Sequence, residues 1–431
     1  MAPSLRCLLV LWPAIATGHA VPAAAQSGLD TFIPARMEVA HLPGVGACII
    51  KNGYVAWADG YGWANIAEQR PATRDTLFML ASVSKSLTAT ALMQLYDEGL
   101  FALDEDVNGV PTFPVENPSF PGVPIIYRQL MSHASSIRDN WSVLGSLYVL
   151  GDSPIPLGQF LEDYLVPGGA YYSASKSYYT TTGPGDAFRY ANVGYALAGY
   201  MVEAIRGVPF DQHCNEELFG PLGMAETSWF LADLDVDHVA MPYRYVGGGY
   251  AAYGHFGYPD YPDGRLRTSV MQLARFLLAH INGGEYGGAR VLEEATVAEM
   301  HTVQHPDLDP NYGLGFDHRQ MFGMELLGHS GGDQGVSTEM YFRPADGVGA
   351  ILLTNGEPYG GSEWSAYLDI YERLFEEADR DFGACVSGPG APPDPGGPLT
   401  TQACLESFDR DDDGDVDLVD FAVQQEDIPE Q

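Results

Sequence analysis

Apolar positions recur along this chain with two different periods, and each change of period marks an element. The stretch GACIIKNGYVAWADGYG, residues 46–62, reads as two strands joined at Asn52-Gly53, a favoured hairpin turn. Over residues 78–107 the spacing lengthens. Leu87, Ala91, Leu92 and Leu95 fall on one helical stripe that Gly99 closes, predicting an amphipathic helix. A second helical pattern, NVGYALAGYMVEAIRG, opens at Asn192 and stops at Gly207. Beyond His329-Ser330-Gly331-Gly332 comes STEMYFRPADGVGAILLTN, two further strands around Pro344-Ala345-Asp346-Gly347, and then a helix carrying Tyr367, Ile370, Tyr371 and Leu374. Strands at both ends with helices between them imply one shared sheet in a mixed α/β (α+β) fold.

Inside the first helical pattern lies Ser82-Val83-Ser84-Lys85. The whole chain has only three lysines, Lys51, Lys85 and Lys176. Residues three apart share a helix face, so the Lys85 amine can reach back to the Ser82 hydroxyl. A serine hydroxyl needs such a neighbouring base to act as a nucleophile. Taken alone, the tetrapeptide reads equally as an N-cap serine followed by an exposed helix lysine. Tyr190 alone would be an ordinary core aromatic, Asn192 an N-cap, and His329-Ser330-Gly331-Gly332 a loop. It is their joint occurrence, in this order, that points to a serine hydrolase.

Together the three motifs resemble those of the serine beta-lactamases, the penicillin-binding D-Ala-D-Ala carboxypeptidases and their esterase relatives, closest to the class C branch. IIYRQLMSHASSI, EELFGPLGMAETSW, RTSVMQLARFLLAHINGG and YGLGF are similar to further landmarks of that family, over about residues 30–380. The resemblance implies an antiparallel sheet flanked by helices, an inserted all-helical lobe, and a cleft between them. It makes Ser82 the acylated nucleophile, Lys85 its base or proton relay, and Tyr190 a partner in passing the proton to the leaving group. Asn192 would bind the substrate's acyl amide and the lysine. The N–H groups of Ser82 and Gly332 would form the oxyanion hole, and glycines in the Ser330, Gly331, Gly332 run would let substrate lie against the strand edge. No cofactor is expected for catalysis, and the substrate would be a small molecule or peptide. Alternatives are a beta-lactamase proper, or a low-turnover penicillin-recognising or cell-wall-binding protein.

Two positions depart from the family pattern. His329 stands where many lactamases and carboxypeptidases carry lysine, and an imidazole is mostly neutral at pH 7. That weakens the expectation of a substrate with an obligatory free carboxylate and favours esters and amides. The segment at His133 reads His-Ala-Ser-Ser where relatives usually end in glycine, implying a local change of backbone. The tyrosine-rich loops AYYSASKSYY and GGGYAAYGHFGY are expected to line the cleft and set specificity.

Composition completes the frame. With 431 residues, 46% of them hydrophobic, the chain suffices for one two-lobed enzyme and an appendage. A formal charge of −36 argues against nucleic-acid binding and against adhesion to an anionic membrane. Residues 1–25 read as a signal peptide, Arg6 followed by LLVLWPAIA and a small-residue stretch, too short to span a membrane. The expectation is a secreted or periplasmic protein, with the hydrolase domain at 26–383. Cys48 and Cys214 read as buried free thiols, while Cys385 and Cys404 bracket VSGPGAPPDPGGPLTTQA and could close that loop; residues 384–402 read as a Pro/Gly-rich linker.

Residues 403–431 hold eleven acids and one arginine. Within them Asp409, Asp411, Asp413, Asp417 and Asp420 take positions one, three, five, nine and twelve of a calcium loop, with Gly414 at six and the backbone carbonyl of Asp415 at seven. The same acids would also serve as a solvated tail. The closing Asp420, in place of glutamate, resembles the calcium repeat of dockerin modules. That resemblance implies bound calcium and a cohesin-like or cell-surface partner.

Overall fold

The structure, a computed structural model, describes residues 28–380. Seven strands form the central sheet: β1 (Gly44–Lys51), β2 (Tyr54–Asn65), β3 (Arg70–Pro71), β4 (Asp317–Met321), β5 (Met324–Asp333), β6 (Val336–Arg343) and β7 (Val348–Thr354). Their order across the sheet is β4-β5-β6-β7-β1-β2-β3, antiparallel at every pairing. The first and last strands of the described residues, β1 and β7, therefore meet at its centre, where Val45 pairs with Thr354 and Cys48 with Ile351. The β1–β2 turn is the predicted one. Asn52 and Gly53 both take positive φ, 55° and 85°, the pairing whose twist matches that of the flanking strands.

β1 is buried on both faces, which is why its sequence reads as an unbroken apolar run. Val45, Ala47 and Ile49 pack with α1 (Gly28–Ala40) and α5 (Gly361–Asp379) through Leu29, Ile33, Tyr367, Ile370 and Leu374. Cys48 and Ile50 face the other way, into the core shared with α4 (Val270–Ile281) and the helical lobe. Cys48 and Cys214 are both buried and free, and burial pushes both thiols up, leaving them inert.

The lobe is built around α2 (Ser84–Asp97) and α3 (Asn192–Arg206), each followed by a glycine at positive φ, Gly99 and Gly207. The amphipathic reading of α2 does not hold. Every residue from Ser84 to Leu95 is buried, because α3, α4 and the segments at Pro262 and Gly315 all pack around the helix. Its polar residues are hydrogen-bonded instead of solvated: Ser86 Oγ donates to the Gly315 carbonyl and Thr88 Oγ1 to that of Pro262, both at 2.6 Å. Among the described residues no helix is long and apolar enough to cross a membrane. The expected signal peptide, the expected linker with Cys385 and Cys404, and the expected calcium loop Asp409–Asp420 lie outside the described residues.

Candidate active site

Ser82 occupies a single 3₁₀ turn, Ala81–Val83, that leads directly into α2. Ala81 holds a left-handed φ of 47°, a conformation costing a residue with a Cβ about 1 kcal/mol or more. Neighbouring segments hold it there. The Leu80 N–H donates to the Leu266 carbonyl at 2.8 Å, and the Leu80 carbonyl accepts from Thr338 Oγ1 on β6 at 2.7 Å. Ser84 Oγ accepts from the Leu266 N–H at 3.2 Å, so the turn is tied to both the sheet and the segment before α4.

Lys85 is fully buried, and its Nζ makes three contacts: Ser82 Oγ at 3.1 Å, Asn192 Oδ1 at 2.7 Å and the Asp263 carbonyl at 2.7 Å. The orientation of Asn192 is fixed by Asp139, whose carboxylate accepts from Asn192 Nδ2 at 2.9 Å and from the N–H groups of Asn192 and Val193 at 3.0 and 3.1 Å. A carboxylate accepting the amide's N–H leaves its oxygen to face Lys85. Asp139 thus caps α3, a place the sequence offered to Asn192. Burial pushes the Asp139 carboxyl up, against those three hydrogen bonds. Behind Lys85, burial and then the neighbouring Asp260 carboxyl push the Asp263 carboxyl well above the usual carboxylate range.

Tyr190 places its ring 5.1 Å from Lys85 Nζ and stacks on His133, centroids 4.1 Å apart. Tyr190 is partly exposed in the cleft lining, and among the described residues its hydroxyl takes no hydrogen bond. His329, Ser330, Gly331 and Gly332 lie within β5 itself, not in a loop ahead of a strand, because their ladder to Met340, Glu339, Thr338 and Ser337 overrides the low strand preference of glycine. The role expected of the glycines shifts accordingly. A Cβ on Gly331 would lie 2.3 Å from the Leu80 carbonyl oxygen and 2.9 Å from the Ser82 nitrogen, so this glycine is required for packing β5 against the Ser82 turn. A Cβ on Gly332 would meet nothing.

Ser82, Tyr190, Tyr312, Arg319, His329 and Gly332 are among the residues lining one open cleft of about 400 Å³. Burial, then the nearby Lys85 charge, pushes His329 down to about 3, so it is neutral at physiological pH. The cleft nevertheless carries a cation that the sequence reading missed. Arg319 on β4 donates from Nη2 to Ser330 Oγ at 3.0 Å and from Nε to Asp317 at 2.6 Å. One further expectation changes. The tyrosine-rich loops contribute none of the lining: Tyr178 is a core residue bonded to the Leu165 carbonyl, and Tyr258 packs behind the Ser82 turn on Met79 and Ala81. In the His133 segment, His133 and Ser136 both take a left-handed φ, 56° and 63°, the conformation glycine favours.

Ser82, Lys85, Asn192 and the His329 strand therefore converge from three distant parts of the chain. The beta-lactamase family profile matches residues 29–370. The chain belongs to the beta-lactamase family. This is a family of serine hydrolases; a penicillin-binding protein is among this chain's relatives, and a D-amino acid amidase and a hydrolase with promiscuous acyltransferase activity share its fold. Penicillin-binding protein 4 of Amycolatopsis lactamdurans is 28% identical over 75% of this chain and 82% of its own. Protein flp of Staphylococcus aureus strain MW2 is 23% identical over 77% of this chain, and the match spans 63% of the staphylococcal protein's length. A D-amino acid amidase from Ochrobactrum anthropi shares the fold, with TM-score 0.63 and 22% identity over 81% of this chain and 98% of that one.

Proposed function

We propose that this family member is an exported serine hydrolase that cleaves an ester or amide through an acyl-enzyme on Ser82. The observation that carries the reading is the setting of Lys85 Nζ. Two of its three neighbours, the Asn192 amide oxygen and the Asp263 carbonyl, can only accept hydrogen bonds. In the neutral amine those two acceptors take both N–H groups, which aims the lone pair at Ser82 Oγ, 3.1 Å away. Ser82 Oγ then attacks the acyl carbon as its proton passes to Lys85. Tyr190, whose ring lies beside Nζ, delivers a proton to the departing alkoxide or amine. Water releases the acyl group by the reverse proton path. The N–H groups of Ser82 and Gly332 serve as oxyanion donors, and the Ser330, Gly331, Gly332 edge bounds the acyl site.

Arg319 favours a second reading of the substrate. A guanidinium hydrogen-bonded to Ser330 at the cleft wall suits a carboxylate, as in a D-alanyl peptide or beta-lactam, where neutral His329 does not. Initial rates on a short-chain aryl ester, a D-alanyl amide and a chromogenic cephalosporin decide between them. The account expects turnover that Ser82→Ala abolishes, fastest on the ester or amide. Turnover fastest on the cephalosporin and weakened tenfold or more by Arg319→Ala would select the carboxylate reading. Serine-independent turnover would defeat both.

For the C-terminal segment we read Asp409, Asp411, Asp413, Asp415, Asp417 and Asp420 as a dockerin-like calcium loop that attaches the enzyme to a cohesin-like or cell-surface partner. The ligand spacing with Gly414 at position six supports it. Calorimetric titration of the full chain should show one calcium site that Asp409→Ala with Asp411→Ala removes. No calcium heat in the unaltered chain would leave the segment a solvated tail.

A further inference from the structure

Between the lobe and the sheet runs a buried chain of three side chains that the catalytic roles above leave unused. Tyr312 lies in the segment leading to β4, and its hydroxyl is 3.1 Å from His133 Nε2 and 2.8 Å from His329 Nε2. All three residues are nearly inaccessible: Tyr312 is 6% exposed, His133 1% and His329 4%.

The direction of every proton in the chain follows from its two ends. His133 Nδ1 accepts the Ala191 N–H at 3.1 Å, so it carries no hydrogen, and the ring's proton sits on Nε2. His329 Nδ1 lies 2.6 Å from the Ser330 carbonyl, which can only accept, so there the proton sits on Nδ1 and Nε2 is the acceptor. His133 Nε2–H therefore donates to the Tyr312 oxygen, and the Tyr312 O–H donates to His329. Burial pushes both imidazoles well down, in keeping with two neutral rings of opposite tautomer.

Each end of the chain touches a motif. Ala191, bonded to His133, is the residue between Tyr190 and Asn192, and the Tyr190 ring stacks on the His133 ring with an interplanar angle of 30°. His329 and Ser330 belong to the strand packed against the Ser82 turn. His133 itself stands at φ 56°, a left-handed backbone that aims its ring inward and that a residue with a Cβ adopts only when the surroundings hold it.

We propose that Tyr312 is a positioning residue: its hydroxyl, shared between His133 and His329, fixes both imidazoles and so holds Tyr190 beside Lys85 across the cleft from the β5 edge. This rests on the proposed acyl-enzyme reading, with Tyr190 protonating the leaving group. Removing the hydroxyl leaves one imidazole N–H without an acceptor and one imidazole nitrogen without a donor, freeing the His133 ring on which Tyr190 stacks. The deficit then falls on leaving-group protonation. A phenolate leaves without a proton, whereas an alkoxide or amine does not.

The test compares two esters with one acyl group, one a nitrophenyl ester and one an alkyl ester, on the full chain. Tyr312→Phe is expected to lower kcat/KM on the alkyl ester at least tenfold more than on the nitrophenyl ester, with an unchanged circular dichroism spectrum. Tyr190→Phe should show the same asymmetry, and the double variant should lose little beyond either single one. His133→Asn keeps a residue that tolerates the left-handed backbone but removes Nε2–H, and should reproduce the asymmetry independently. Equal losses on both esters in Tyr312→Phe and His133→Asn, with Tyr190→Phe still asymmetric, overturn the inference alone. A symmetric Tyr190→Phe, or turnover surviving Ser82→Ala, overturns the underlying reading and the inference with it.

Discussion

Glu339 on β6 pairs across the ladder with Ser330, and its carboxyl is buried in the sheet. Among the described residues its Oε2 has no hydrogen-bond partner. Burial pushes its pKa up to about 8, so the folded protein keeps the proton that an unfolded glutamate releases near pH 4.5. Stability from this group is therefore complete below about pH 4.5 and is lost as pH rises toward 8, with a limiting slope of about 1.4 kcal/mol per pH unit. Glu339→Gln should remove that slope, raising the melting temperature more at pH 8 than at pH 5. An equal shift at both pH values would contradict the buried neutral acid. His329 works in the opposite sense: its folded pKa lies below the unfolded one, so its contribution is complete above about pH 6.5 and is lost as pH falls toward 3. At this scale Ser82 and Lys85 were legible because their relation is local, three residues along one turn. Asp139, Asp263, Tyr312 and Arg319 were not, because each meets the site only through tertiary packing. YGLGF could be noticed in the sequence, but nothing in it says that its tyrosine joins two histidines 196 positions apart in the chain.

Elements were legible where their signals are local. Asn52-Gly53 sets the β1–β2 hairpin by backbone preference alone, and the turn at Pro344–Gly347 likewise separates β6 from β7. The stripe of Leu87, Ala91, Leu92 and Leu95 correctly marks a helix but understates its burial. Ser86, Thr88 and Thr90 look solvent-facing in sequence, but in the buried α2 Ser86 and Thr88 donate to the Gly315 and Pro262 carbonyls of other segments and Thr90 to the Ser86 carbonyl of its own helix. His329–Gly332 went the other way. Glycine-rich composition suggests a loop, whereas pairing with β6 and the close approach of Gly331 to Leu80 demand a strand. Tyrosine-rich segments gave no reliable sign of their side: a tyrosine has both an apolar ring to bury and a hydroxyl to satisfy, and Tyr178 does both outside the cleft lining.

Across the whole molecule, the antiparallel sheet with its flanking helices and inserted lobe is what brings residues 82, 190 and 329 to one cleft. The lobe supplies Lys85, Tyr190 and Asn192. The sheet supplies the His329–Gly332 edge, and Ser82 stands at their junction, tied to β6 through Leu80 and Thr338. Such a layout puts Ser82 and Lys85 on one continuous turn and the Ser330–Gly332 edge on a strand packed against it, so their relative position is set by that packing. The central claim is that Ser82 becomes acylated, and intact-mass analysis of the full chain incubated with a slowly deacylating ester or beta-lactam tests it most directly. The account predicts a single acyl adduct, mapped by peptide digestion to the fragment containing Ser82 and absent from Ser82→Ala. An adduct of equal amount in Ser82→Ala, or one mapped to another residue, would contradict it.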